Sequence, residues 1–232
     1  SVDMDEINKI ASKHNLYVLE DCAQSHGSKY KGRITGSMSN ISATSFYPTK
    51  ILGTYGDGGM VNTNNEELYR KLKRLRFYGT EKNYYSNEHG FNSRLDEMHA
   101  SILLKKVTHL DDYIKRRQNL AHQYNKLLSN TSLVLPYEAD YSEHSYYVYV
   151  VRHLKRDKII EELAKNKIFV NISYPYPIHT MTGYKYLGYN EGDLPVTEEM
   201  SKQIFSLPMY PYLSDEKQIR TCEVLNEILN KL

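Results

Sequence analysis

Tryptophan is absent from this sequence, and cysteine occurs only twice, as Cys22 and Cys222. Two cysteines that far apart form no CxxC pair and no disulfide framework, which suits a reducing cytoplasm. No apolar run approaches the roughly 18 residues that a membrane-crossing helix needs, and the opening residues carry no signal-like apolar core. The 30 basic side chains nearly balance 28 acidic ones, leaving a formal charge of +2. Without a basic stripe or an arginine-rich arm, nucleic acid is excluded as the main partner. The nine histidines are scattered, with neither HExxH nor HxH, so no metal site is expected. Internal repeats and low-complexity tracts are missing too. What is present is length enough, at 232 residues, for one large domain or two smaller ones, and 22 tyrosines, a residue common at wet interfaces.

The chain is organised around Thr44 to Val61, T-S-F-Y-P-T-K-I-L-G-T-Y-G-D-G-G-M-V. A short apolar strand, Ile41 to Phe46, breaks at Pro48 and presents Lys50. The glycine-rich turn Gly56 to Gly59 leads into a second apolar run, Met60 to Thr63. Desolvation beside a buried sheet disfavours the charged form of an amine and frees its lone pair for attack on a carbonyl, which is how Schiff-base lysines are made. A surface lysine in a tight turn fits the same residues.

Ahead of that stretch, Asp3 to His14 has the spacing of an amphipathic helix with Asp3 as N-cap. Leu16 to Leu19 is continuously apolar, as in a buried parallel strand, and ends in Glu20-Asp21. Ligands of open α/β sheets collect at the carboxyl ends of strands, so Asp21 and Ser45 are predicted to share an edge with Lys50 beyond them. A turn or cap role for Asp21 stays open. Lys31-Gly32 marks a hairpin, and Asn65 to Tyr78 a basic amphipathic helix. Gly79 to Gly90 reads as a polar loop. A single long helix is predicted from a Ser93 cap to Leu128, with Asn92 beside its start. A polar break at Ser129 to Ser132 divides residues 1–128 from 129–232. In the second part, Ser145 to Arg152 and Ile168 to Ile172 read as strands. Lys155 to Asn166, Met200 to Phe205 and Asp215 to Leu229 read as helices. The proline-rich Tyr174 to His179 is a loop, either lining a pocket or serving as a rigid connector.

Taken together, E-D-C-A-Q-S-H-G at 20–27, S-F-Y-P-T-K at 45–50, G-D-G-G at 56–59 and G-F-N-S-R-L-D-E at 90–97 resemble one family. It is the DegT/DnrJ/EryC1/StrS family of pyridoxal-phosphate-dependent sugar aminotransferases. Y-P-Y-P-I-H at 174–179 and L-P-M-Y-P-Y-L at 207–213 match as well, so the likeness runs along essentially the whole chain. It implies an α/β chain of fold-type-I architecture. Residues 1–128 would be the C-terminal part of the large mixed-sheet, cofactor-binding domain, and 129–232 a small α+β domain.

By the same resemblance, Lys50 is the lysine that joins pyridoxal 5'-phosphate and shuttles protons, and Asp21 pairs with the ring nitrogen. Gln24 lies against the ring and bonds its phenolic oxygen. Ser45 holds the phosphate, together with Asn92 reaching in from a second subunit of a homodimer; simple capping beside Ser93 is the other reading of Asn92. Tyr174 and His179 would lie near the sugar. Glutamate would be the amino donor, 2-oxoglutarate the product leaving, and a nucleotide-linked keto-deoxysugar the acceptor. Y-Y-S-N-E-H-G-F-N-S-R-L-D-E is most similar to enzymes acting at C4 of dTDP-4-keto-6-deoxyglucose, on the way to surface polysaccharide, with C3 amination as the near rival. A pyridoxamine-phosphate-dependent dehydratase of the same fold lacks the lysine, and a non-catalytic remnant or regulatory partner keeps the fold without the site.

Family members carry a longer N-terminal portion that supplies early strands, a phosphate cup and an aromatic stacked on the ring. This chain opens almost directly before its aspartate-bearing strand, so the likeness is to the C-terminal part of such an enzyme. The expectation is that the 232-residue chain alone binds pyridoxal phosphate poorly. Absorbance spectra of the chain mixed with the cofactor check this, and a stable visible-wavelength band would contradict it.

Overall fold

The computed structural model describes residues 1–232. The chain forms two compact units, Ser1–Lys115 with Glu138–Tyr147, and Arg116–Tyr137 with Val148–Leu232. The break expected after Leu128 is the end of a helix, while the units divide inside that helix.

The first unit opens with α1 (Met4–Lys13), where the Glu6 N–H donates to the Asp3 carboxylate at 3.2 Å, as an N-cap should. Asn15, at φ 52°, ends it in the left-handed region. β1 is only Leu19–Asp21, shorter than the apolar run before it, and the run is not buried. Leu16, Tyr17 and Leu19 are 61–84% exposed, because β1 is an edge strand and Val18 gives its N–H to the Asn40 side chain instead of a neighbour. β2 (Lys29–Tyr30) and β3 (Arg33–Ile34) form the expected hairpin. Its turn residues Lys31 and Gly32 both have positive φ, the backbone twist that matches paired strands.

β4 (Ile41–Ser45) and β5 (Gly59–Asn62) complete a mixed sheet of order β1-β4-β5. β1 runs parallel to β4, with Glu20 opposite Ser42 and Asp21 opposite Ala43; β5 is antiparallel. The period of two then sorts the side chains. Glu20 and Ser42 face inward and are buried, whereas Asp21, Ala43 and Ser45 share the open face. The Glu20 carboxylate accepts from Gly36 N–H (2.8 Å), Met38 N–H (3.1 Å) and the Ser39 hydroxyl (2.8 Å), tying the 36–39 turn to β1.

α2 (Glu66–Leu75) is capped by Asn65, and its half-buried Leu68, Leu72 and Leu75 make the expected stripe. The segment read as a loop at 79–90 contains a small hairpin, β6 (Thr80–Lys82) with β7 (Tyr85–Ser86). The single long helix is two, α3 (Glu97–Val107) and α4 (Leu110–Leu128). They part where the Thr108 hydroxyl bonds back to the Lys105 carbonyl at 2.8 Å. Ser93 is not the cap: its N–H donates to the Arg76 carbonyl at the end of α2, and Asp96 precedes the first turn without a side-chain cap bond. β8 (Ser142–Glu143) adds to the free edge of β2.

In the second unit, β9 (Tyr149–Arg152) pairs antiparallel with β10 (Ile204–Leu207). β9 starts later than the alternation from Ser145 implies, because Tyr146 sits at φ 48° and interrupts the strand. α5 (Arg156–Lys165) lies close to its expected span. α6 (Pro195–Ser201) lies earlier than expected, begun by a proline at its first turn, so Ile204 and Phe205 are strand instead of helix. The run 168–172 contributes a single bridge, Asn171 to Ser206, and no strand. α7 (Asp215–Asn230) closes the chain. Tyr124, Tyr149, Leu163, Phe205 and Leu225 make its core, with the Tyr124 and Tyr149 rings 4.8 Å apart.

Glu20→Ala leaves the Gly36 and Met38 N–H groups without their acceptor, while the Ser39 hydroxyl keeps the Ile41 carbonyl at 2.8 Å. A loss of about 2–4 kcal/mol is expected in denaturant unfolding, while a loss under 0.5 kcal/mol would contradict the clamp.

Candidate active site

Asp21 and Ser45 end parallel neighbours and leave the sheet at one edge, on one face. Ser45 lies two residues past Asp21's partner, so about 7 Å further along. The Ala23 N–H donates to Asp21 Oδ1 at 3.0 Å, closing the turn after β1, and the carboxylate is exposed on the open face. Gln24 is half-buried in that turn. The Ser45 hydroxyl accepts from Tyr47 N–H at 3.2 Å.

Lys50 follows on a loop with no slack. Its N–H donates to the Tyr47 carbonyl (2.9 Å), Thr54 N–H to Phe46 (2.8 Å), and Phe46 N–H to Gly58 (2.7 Å). A Cβ at Gly53 would stand 2.6 Å from the carbonyl oxygens of both Tyr47 and Pro48, so only glycine closes this loop. Ile51 and Leu52 are buried immediately after the lysine, Leu52 packing with Phe46 and Leu103. The half-buried Lys50 ammonium lies 4.7 Å over the Tyr147 ring.

Two groups that the sequence did not single out belong here. His26 sits in the E-D-C-A-Q-S-H-G run, 8% exposed, with neither ring nitrogen hydrogen-bonded. Burial, and secondarily the Lys50 charge, push its pKa down to about 4, so the ring is neutral at pH 7. Its ring neighbours Phe46, with centroids 6.2 Å apart. Tyr147 reaches the lysine from almost a hundred residues away, a contact that no local pattern announces.

The other expected residues stand on other segments of the chain. Asn92 is exposed and bridged to Phe77, and its Oδ1 accepts from Arg94 Nε at 3.1 Å; the Arg94 guanidinium in turn covers the Phe77 ring at 5.3 Å. Tyr174 and His179 belong to the second unit. Tyr174 is exposed, whereas His179 is buried with Nε2 2.8 Å from Glu198 Oε1. Glu198 also accepts from Gly192 and Leu194 N–H, and His179 first, then these amides, hold its carboxyl below the usual range. A cavity of about 1350 Å³ in the first unit is lined by His26, Phe46, Leu72 and Leu95, and by none of Lys50, Asp21, Gln24, Ser45 or Asn92.

An amine, a carboxylate and a hydroxyl at one sheet edge match an aldehyde, a basic ring nitrogen and a phosphate, the three handles of pyridoxal phosphate. Gly59 pairs with Ser45 across the sheet, and a Cβ there would stand 2.8 Å from the Thr44 carbonyl oxygen. The strip beside Ser45 therefore carries no side chain, and the residues fit the group. Nowhere do three or more His, Cys, Asp or Glu gather to hold a metal ion, and no helix is long and apolar enough to cross a membrane.

Comparison with known proteins gives a profile match over residues 1–226 to the DegT/DnrJ/EryC1/StrS aminotransferase family. A dTDP-3-amino-3,4,6-trideoxy-alpha-D-glucose transaminase from Micromonospora megalomicea is 49% identical, covering 100% of this chain and 63% of the relative. A pleiotropic regulatory protein from Geobacillus stearothermophilus is 41% identical over 97% of the chain and 61% of the relative. Among solved structures, S. venezuelae DesV, in complex with a ketimine intermediate, superposes with a TM-score of 0.97 at 36% identity, covering 100% of this chain and 63% of that one. The chain thus spans about three fifths of the length of these relatives.

Because His26 is held neutral, the unfolded chain binds one more proton than the folded one between pH 6.5 and 4. Stability is expected to fall as pH drops through that window, by at most about 3 kcal/mol from this group. Thermal melts across the window check it: burial also lowers the pKa of His144 and His153, so His26→Phe should remove part of the slope, and an unchanged slope would refute the assignment.

Proposed function

The chain belongs to the DegT/DnrJ/EryC1/StrS aminotransferase family, and we propose that it carries the lysine-bearing part of a pyridoxal-phosphate-dependent enzyme that aminates a nucleotide-linked keto sugar. The fold is that of fold-type-I transferases, a mixed-sheet part followed by a smaller α+β part. The observation that carries the reading is the shared open face of Asp21 and Ser45, with Lys50 on a glycine-locked loop directly after it.

Pyridoxal phosphate, when bound, supplies the electron sink that lets a C–H bond next to an amino group ionise. The chain's side chains supply the rest. With the group bound, Lys50 would take the proton from that carbon and, as the conjugate acid, deliver it to the carbon on the other side of the nitrogen, acting as general base and then general acid. Asp21 holds the proton on the ring nitrogen through a charge-assisted hydrogen bond, roughly twice as strong as a neutral one. The Gln24 amide donates to the phenolic oxygen, and the Ser45 hydroxyl donates to the phosphate. Asn92, exposed on its own segment, is free in position to serve the phosphate of a second copy in a homodimer. Tyr174, exposed in the second unit, is the proposed sugar contact, while His179, tied to Glu198, holds the loop around it.

Glutamate is proposed as donor. For the acceptor, the likeness around Tyr84 to Glu97 favours C4 of dTDP-4-keto-6-deoxyglucose, whereas the name of the 49% identical relative favours C3. A regulatory role is the second reading, favoured by the name of the G. stearothermophilus relative.

In the enzyme containing this chain, Lys50→Ala should lower amination of the keto sugar from glutamate by about a thousandfold or more. Undiminished turnover would overturn the reading, and no turnover in the parent protein would favour the regulatory one. NMR of the amino sugar distinguishes C3 from C4.

A further inference from the structure

We propose that Tyr147 is the positioning residue for Lys50, resting on the reading of Lys50 as the working amine. The ammonium lies 4.7 Å over the Tyr147 ring, and the Tyr147 hydroxyl is 2.9 Å from the hydroxyl of Thr49, the residue next to the lysine. Ring and lysine are therefore held at both ends by one short stretch of backbone. A cation over an aromatic face is attracted by the ring's negative quadrupole, which favours the ammonium and restricts the long side chain to one arc.

The delivery of Tyr147 is built, not incidental. Residues 138–147 belong to the first unit although the chain on both sides belongs to the second. β8 seats this excursion on β2, and Ser145 is fastened to Ser28 through their hydroxyls at 2.8 Å. Glu138 accepts from the His144 N–H at 2.5 Å and from the Tyr146 hydroxyl at 2.9 Å, clamping the end of the loop. Tyr146 is thereby kept at φ 48°, a conformation that a bulky residue adopts only when its surroundings impose it. That turn re-aims the next side chain, Tyr147, at Lys50. The neighbouring His26 carries no charge at neutral pH, so the ring is the group that meets the cation from this side.

The function that follows is to park the amine whenever it is not covalently engaged. A parked lysine stays within reach of the open face beside Asp21 and Ser45, instead of sampling solvent.

Competitive acylation of the protein with a trace amine reagent at one pH, read by peptide mapping at Lys50, tests this. Tyr147→Leu is expected to speed Lys50 labelling about threefold relative to the other lysines, the size expected when an exposed-site cation–π contact is lost. Tyr147→Phe, which keeps the ring face but loses the hydroxyl contact with Thr49, should give a rise well below that of Tyr147→Leu. Thr49→Val, which leaves the ring but frees its hydroxyl end, should give a smaller rise. Equal labelling in the parent, Tyr147→Leu and Thr49→Val overturns the proposal, as does a rise in Tyr147→Phe matching that in Tyr147→Leu. Failure of the functional reading shows differently: borohydride would trap pyridoxal phosphate on another lysine while this labelling order stayed intact.

Discussion

The parallel pairing of β1 with β4 is the constraint on which the site depends. Successive strand residues point to opposite faces, so the pairing that sends Glu20 inward necessarily sends Asp21 outward. Glu20 is then enclosed by donors from the 36–39 turn, and that enclosure holds the register. A slip of one residue would turn the shorter Asp21 carboxylate inward, toward donors placed for Glu20, and would expose Glu20. The buried Glu20 carboxylate thus protects the position of Asp21, the one proposed to meet the ring nitrogen.

A second constraint acts on the loop that follows. The close approach at Gly53, the buried pair Ile51-Leu52 and the bond from Thr54 to Phe46 leave Lys50 little backbone freedom. Its side chain remains long and flexible, which suits the proton-carrying role proposed for it and also calls for restraint. The restraint proposed for the Tyr147 ring is non-covalent, and a cation–π contact is weak enough to be exchanged for reaction.

Much of the local architecture was legible because its signals are local. Asp3 and Asn65 cap helices where a polar side chain precedes an apolar stripe, and Lys31-Gly32 makes the hairpin that its backbone freedom permits. The failures share a cause. Leu16 to Leu19 has the composition of a buried strand, but burial depends on what lies against it, and here nothing in the chain does. Ile204-Phe205 was read as helix because a short apolar run carries no period, and its pairing with β9 decided otherwise. The long helix divided at Thr108, whose hydroxyl competes for a backbone carbonyl, an effect that an apolar stripe does not register.

For the site, the sequence by itself determined the chemical inventory: an amine after a proline-glycine loop, a carboxylate at one strand end and a hydroxyl at another, each set by neighbours within a few residues. It also predicted that Asp21 and Ser45 share an edge, while their common face follows from the parallel pairing of β1 with β4. Only the tertiary structure decided which partners those groups meet. His26 is buried with no partner for its ring nitrogens, His179 meets Glu198, and Tyr147 lies beneath the lysine. The physical reason is range. Caps, turns and alternation act over a few residues, while burial and cation–π contact join residues about a hundred positions apart.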